Sequence, residues 1–279
     1  MTKPPAIREI EKHALNIRRN VIKMLAAAGS GHTAGSLGLA DVFAALYFDI
    51  LKYNPADPND TNRDLLVLSN GHVCPALYAT LAEAGLMPEE ELMTLRKFGS
   101  RLQGHPERDR LPWLETTSGP LGEGISQAAG MAYFIENWEE RNNRHVYCIT
   151  GDGELDEGQN WEAIMFAAKY NLHNLTVIVD RNGIQSDGTT EDIMPLEPLV
   201  DKWKSFGWHV IQIDGNNVES IIDACAMARA VTERPSVIIA YTIPGRGVSF
   251  MENDYRWHAK APTADEAKKA LYELEARSL

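Results

Sequence analysis

A chain of 279 residues, 44% apolar and 24% charged, is long enough to bury one large α/β core and has an ordinary globular composition. Its formal net charge of -12 argues against nucleic acid or an anionic membrane surface as the main partner. No run approaches the roughly 20 apolar residues that span a bilayer, and the first residues lack the apolar core of a signal peptide. With three scattered cysteines (Cys74, Cys148, Cys225) suggesting neither a disulfide framework nor a zinc site, a cytoplasmic protein is expected.

From the N-terminus, residues 7–28 are predicted to form an amphipathic helix with Ile10, Ala14, Ile17, Val21, Met24 and Leu25 on one stripe, ended by Gly29. The run Ser30-Gly31-His32-Thr33-Ala34-Gly35-Ser36-Leu37-Gly38 then reads as a glycine-rich loop between helices. Such a loop lets backbone approach a ligand beside His32; a tight turn with a solvated histidine accounts for this stretch equally well. Asp41 is expected to cap a helix over 42–51. Residues 64–69 read as a short strand ending in Asn70-Gly71-His72, where His72 can donate to a phosphate or serve as a cap. Residues 83–112 are mostly polar connection, with a short helix over 89–98. Within them, Gly104-His105-Pro106-Glu107 has a proline that holds the backbone extended at the histidine, as a surface turn also would. The segment Thr116-Thr117-Ser118-Gly119-Pro120-Leu121-Gly122-Glu123-Gly124 exposes backbone donors and acceptors able to hold a flat ring, ahead of a helix over 125–139.

The middle of the chain carries the clearest pattern. A β-prone run over 145–150, a helical pattern over 161–170 and a second β-prone run over 175–180 predict a strand, a crossover helix and a parallel strand. Asp152 and Asn182 then both fall at carboxyl ends of strands, where open α/β sheets bind ligands. Asp152 offers one charged oxygen, Asn182 a neutral one, and the carbonyl of Ile184 a third. That donor set suits Mg²⁺, which completes its octahedron with phosphate oxygens and water. Gly151 and Gly153 keep side chains away from an approaching phosphate, and the following helix points its N-terminus at the same anion. Glu154, Asp156 and Glu157 read on these grounds as complements to that helix dipole.

Further on, a helix over 197–206, a strand over 208–213, a helix over 218–229 and a strand over 236–241 form another crossover unit. A loop over 242–247 and the segment Arg256-Trp257-His258-Ala259 follow, and residues 263–279 are predicted to form an amphipathic helix capped at Thr263. The fold class expected is a single α/β domain, a parallel sheet with helices on both faces.

Gly151-Asp152-Gly153 followed by Asn182 one strand later resembles the metal and diphosphate motif of thiamine diphosphate enzymes. The fuller wording Gly-Asp-Gly-Glu-Leu-Asp-Glu-Gly-Gln with Trp-Glu-Ala is similar to the transketolase family in particular. Other segments follow in that family's order: Gly31-His32 through Leu37-Gly38, Ser69-Asn70-Gly71-His72, Gly104-His105-Pro106-Glu107, Thr116 to Gly124, Thr242 to Gly247, and His258. The resemblance runs from about residue 8 to residue 262. It implies a thiamine diphosphate-binding domain over 1–262, with 263–279 as a helix packed on it. Asp152, Asn182 and the Ile184 carbonyl would hold Mg²⁺, with Ca²⁺ or Mn²⁺ as alternatives. His72, Gly119, Leu121, Gly151, Gly153 and Asp187 would contact the cofactor. His32 and His258 would shuttle hydroxyl protons, His105 would hold the donor's terminal hydroxyl, and Glu157 would link two cofactors across a subunit interface. Thr33, Ser118, Glu123, Ser186 and Ala259 depart from the family's usual residues.

The same resemblance implies transfer of a two-carbon ketol unit from a ketose (phosphate) donor to an aldose (phosphate) acceptor. It covers only the diphosphate-binding part of a full transketolase. The expectation is therefore one subunit of a split enzyme, inactive without a partner that carries the pyrimidine-binding domain and assembled as an α2β2 heterotetramer. The alternatives are a subunit of another thiamine diphosphate enzyme (a dehydrogenase or a deoxyxylulose-phosphate-type synthase), a non-catalytic regulatory subunit, and an unrelated α/β phosphate binder. His13, His145, His173 and His209 match no motif and read as structural.

Overall fold

Five short apolar stretches become the strands of one sheet: β1 (Leu65–Leu68), β2 (Val146–Gly151), β3 (Leu175–Arg181), β4 (His209–Asp214) and β5 (Ser236–Tyr241). They lie in the order β1-β2-β3-β5-β4 and every pair is parallel. The computed structural model describes residues 5–139 and 144–277. Strands buried on both faces are apolar at most positions, which is why β1, β2, β3 and β5 read as near-continuous apolar runs, with Thr176 and Asp180 the buried polar exceptions in β3. At the edge, β4 is partly exposed and alternates polar with apolar residues.

Helices cover both faces. On one side α1 (Pro5–Ala28), α2 (Ala34–Gly38), α3 (Ala40–Ala45), α4 (Cys74–Glu83), α9 (Val218–Ala230) and α10 (Ala264–Ala276) share a core with Tyr147, Ile149, Ile178 and Ile238. On the other, α5 (Gly124–Trp138), α6 (Gly158–Lys169) and α8 (Leu199–Ser205) pack on Val146, Cys148, Val177, Val179, Val237 and Ile239. A single turn, α7 (Thr190–Ile193), lies in the connection that follows β3. Successive residues of one strand thus feed opposite cores, as the pleat requires. Among the described residues, no helix is long and apolar enough to cross a membrane.

Several expected local features differ. The glycine-rich run after Gly29 is not all loop: residues from Thr33 onward cap and form the short, buried α2. Asp41 is not a cap. Leu39 occupies that position, and Asp41 lies in the first turn of α3, where it takes the guanidinium of Arg18 from α1 (Nη1 to Oδ1, 3.2 Å) and the amide of Asn216 (2.8 Å). The buried carboxylate therefore ties three elements together and satisfies no helix end. The helix expected over 42–51 changes character at Leu46–Ile50, which widens into a π turn before Leu51 becomes extended. The helix expected over 89–98 is a 3₁₀ helix confined to Glu89–Thr94. α10 is capped by Thr263 in a capping box with Glu266, and its Ala267, Ala270 and Leu274 enter the same core as α1. Residues 278–279 of the helix predicted there lie outside the described residues.

Candidate active site

Asp152 and Asn182 project from the carboxyl ends of the adjacent strands β2 and β3. Asp152 is 1% exposed. Its Oδ1 accepts from the backbone N–H of Gly153 (2.8 Å), and its Oδ2 accepts from the N–H of Gly183 (2.7 Å) and from Arg181 Nη1 (3.1 Å). Burial pushes this carboxyl upward, and those donors together with the Arg181 charge oppose the rise. Asn182 donates through Nδ2 to Asp180 (2.8 Å) and accepts from the N–H of Ile184 (3.0 Å), so its amide is fixed. Asp180 lies behind it, wholly enclosed and also bonded by Thr242; burial pushes it up to about 7. Ile184 pairs with Thr189 in a bridge that uses the carbonyls of Gly183 and Gly188. The carbonyl of Ile184 takes no part in that bridge.

Glu154 gathers the surrounding loops. It is 3% exposed. One oxygen accepts from Ser69 Oγ at the end of β1 and from the N–H of Gly122 (2.8 Å), and the other accepts from Thr150 Oγ1 (2.8 Å) and the N–H of Gly151 (3.0 Å). Four donors fill the four acceptor positions of one carboxylate. The dipole reading of Glu154 is thus superseded: it fastens the Gly119–Gly122 loop to two strand ends. Gly124, at the start of α5, is packed so closely on Ser69 that a Cβ would lie 2.6 Å from that residue's Cα.

Three half-buried histidines meet beside this frame. The ring centroids of His32 and His72 are 4.8 Å apart, those of His72 and His258 5.2 Å, and those of His32 and His258 5.6 Å. Burial, with the mutual repulsion of these rings, drives His32 down to about 4 and His72 well below an ordinary histidine. Burial also lowers His258, against the opposing charge of Asp187. All three are neutral imidazoles near pH 7, able to accept a proton. His105 lies exposed on its turn and is lowered by burial of part of the ring and by the charge of Arg96. Its Cγ is 3.6 Å from where a side chain on Gly119 would begin, so the His105 and Gly119 turns press together.

A cavity of about 180 Å³ opens between these parts. It is lined by His72, Leu121, Gly151, Asp152, Gly153, Asn182, Ile184, Asp187 and His258 from the expected set. His32 reaches it through its ring contacts, whereas His105, Gly119 and Glu157 lie outside its walls. Glu157 is exposed at the start of α6, with its Cβ close to Gly122. Sequence reasoning missed Asn70, Gln185 and Glu154 as lining residues, along with Arg181, the cation on Asp152. A cue existed for Asn70, which directly precedes Gly71-His72. None existed for Arg181, whose partners are spread over three other segments.

The walls fit a metal-bound diphosphate. Asn70 Oδ1 and His32 Nδ1 are buried without a hydrogen-bond partner among the described residues, as groups awaiting a polar ligand would be. Asp152, Asn182 and the Ile184 carbonyl present three oxygens of the kind Mg²⁺ takes. Among the described residues no cluster of three or more His, Cys, Asp or Glu side chains could hold a metal by itself, so any cation here would lean on the amide, the carbonyl and the ligand's phosphates. Sheet, crossover and cavity together define an α/β domain built to hold a phosphorylated ligand at its strand ends.

Comparison with known proteins sharpens that class. The family profile described as "Transketolase, thiamine diphosphate binding domain" matches residues 10–275. The chain is 43% identical over 267 residues to the 6-deoxy-6-sulfo-D-fructose transketolase subunit SqwG of Clostridium sp. (strain MSTE9), covering 96% of each. It is 40% identical to one of the apulose-4-phosphate transketolase subunits of Actinobacillus succinogenes, again over 96% of each. Among solved structures, the transketolase of Leishmania mexicana superposes with a TM-score of 0.91 at 33% identity, over 95% of this chain and 41% of that one. The chain thus spans about two fifths of the full-length enzyme and nearly all of the separate subunits. It belongs to the transketolase family, in the part that binds thiamine diphosphate.

Proposed function

We propose that this chain is the diphosphate- and metal-binding subunit of a split, thiamine diphosphate-dependent transketolase. The observation that carries the reading is the convergence of Asp152, Asn182 and Ile184 with His72 and His258 on one cavity, beside His32. Residues 1–262 are the cofactor domain and 263–279 its C-terminal segment, whose α10 packs on the same core; residues 1–4, 140–143 and 278–279 lie outside the described ones. The native cation is Mg²⁺, and the protein works in the cytoplasm. A second subunit carrying the pyrimidine-binding domain completes the site, and two copies of each assemble as α2β2.

Thiamine diphosphate, when bound, supplies the carbon nucleophile of the reaction. This chain supplies placement and proton transfer. Asp152, Asn182 and the Ile184 carbonyl would hold the cation, His72 would contact the diphosphate, Gly151 and Gly153 would leave it room, and Gly119, Leu121 and Asp187 would lie against the cofactor. His32 and His258, neutral at physiological pH, accept and return the hydroxyl proton of the sugar as its carbon–carbon bond breaks and forms. His105, on the turn against Gly119, holds the donor's terminal hydroxyl. The names of the two separate-subunit relatives point to acidic sugars, a sulfonated ketose and a branched sugar phosphate, so a sugar with a terminal anion is the substrate class.

The test is ketol transfer from xylulose 5-phosphate to ribose 5-phosphate, and from the sulfonated ketose, with thiamine diphosphate and Mg²⁺. Activity is expected only when the chain is co-expressed with its partner subunit. Transfer by this chain alone would sink the split-site reading.

A further inference from the structure

Arg181 immediately precedes Asn182 and is held from four sides. Nη1 donates to Asp152 Oδ2 (3.1 Å) and to Thr190 Oγ1 (2.7 Å), while Nη2 donates to Glu191 (2.6 Å) and Glu197 (3.2 Å). Its side chain is 9% exposed. Three carboxylates around one guanidinium are more than a counter-charge for Asp152 requires, and they leave the group no freedom to swing away from it.

The consequence falls on the two oxygens of Asp152. Each carboxylate oxygen has about two lone-pair positions. On Oδ2 both are taken, one by Arg181 and one by the N–H of Gly183 at 2.7 Å. Oδ1 carries only the N–H of Gly153 at 2.8 Å and keeps one position open. The guanidinium charge also repels a cation that approaches from the Oδ2 side.

We propose that Arg181 restricts Asp152 to coordination through a single oxygen and thereby selects a small octahedral cation over a larger one; this rests on the metal-site reading above. Mg²⁺ needs near-ideal octahedral geometry and is content with one oxygen per carboxylate, whereas Ca²⁺ takes six to eight oxygens and gains from bidentate carboxylates. Arg181 is accordingly a positioning residue. It touches neither cation nor cofactor and acts through Asp152.

The experiment is titration of Mg²⁺ and of Ca²⁺ at saturating thiamine diphosphate, followed by calorimetry, with the chain alone and with its partner subunit. Wild-type protein is expected to favour Mg²⁺. In Arg181→Met the ratio of Ca²⁺ to Mg²⁺ dissociation constants should fall about tenfold, the scale on which partners of metal ligands act. Arg181→Lys, which keeps a charge but loses the fork, should give a smaller fall and serves where the methionine variant does not fold. A ratio unchanged in the folded variants, even with both affinities weakened, would overturn the proposal and leave Arg181 a structural tie between β3 and residues 190–197. Failure of wild-type protein to bind either cation in either form would overturn the metal-site reading itself, and this inference with it.

Discussion

Asp152 sits where burial opposes its charge and three donors restore it. Asp152→Asn keeps the volume of the side chain but places an amide where one oxygen accepts Gly183 and Arg181. Mg²⁺-dependent retention of thiamine diphosphate should fall at least tenfold, on the order expected for loss of a ligand's charge, with circular dichroism unchanged. His145 offers a different test, because it is buried away from the cavity, bonded to Thr176 Oγ1 (2.8 Å), and driven by burial from 6.5 down to about 3. Its value in the folded chain lies below that in the unfolded chain, so on acidification the unfolded chain takes up the proton first. Its contribution to stability is complete above pH 6.5 and is lost progressively as pH falls toward 3. The denaturant midpoint should decline over that window in wild-type protein, and the decline should be shallower in His145→Gln.

At the scale of elements, the join between β1 and α5 is the tightest point of the site's frame. Gly124→Ala would drive a methyl against the Ser69 backbone. A loss of about 1–3 kcal/mol in unfolding free energy is expected, the range for overpacking, together with weaker cofactor binding as the Gly119–Gly122 loop shifts. What can be read in the sequence follows the same logic of range. The β2–α6–β3 crossover is legible because strands buried on both faces read as near-continuous apolar runs, and Asp152 and Asn182 follow from it. Glu154 is not, since an acid in a first helical turn has a sufficient local explanation. Thr150 and Gly151 are local partners, but Ser69 and Gly122 come from distant segments, and only the tertiary fold brings them to the same carboxylate. Asp41 meets the same limit, as its partners Arg18 and Asn216 are far away in the chain. Glu157, carried over by resemblance, lies exposed outside the cavity, where an interface residue could meet a partner.

For the molecule as a whole, the outer face of α5 and α6 carries an apolar surface that the described residues leave exposed. Trp138 is 62% exposed, Phe134 54% and Met165 53%, with Phe166 and Tyr170 beside them in a ladder of ring contacts. Contiguous apolar surface of this kind marks an interface. Glu157 lies at the opposite end of α6, eight residues before Met165, so a contact between two copies of this chain that took in both would run the length of that helix. Trp138→Glu paired with Phe166→Glu should halve the assembled mass measured by light scattering while leaving the chain folded. An unchanged mass would place the two-fold contact elsewhere.

The strand order has a consequence during synthesis. β5 is inserted between β3 and β4, so β4 leaves the ribosome before its one neighbour in the sheet exists and must wait through α9 for it. A nascent chain that has passed Ile184 already carries every proposed cation ligand. Yet the free edge of β3 is open until Tyr241 emerges, and the histidine group lacks His258 for longer still. Such long-range parallel pairing is slow and leaves strand edges exposed meanwhile. This chain's share of the site is therefore complete only once His258 has emerged, and shorter nascent chains are the ones a chaperone would have to shield.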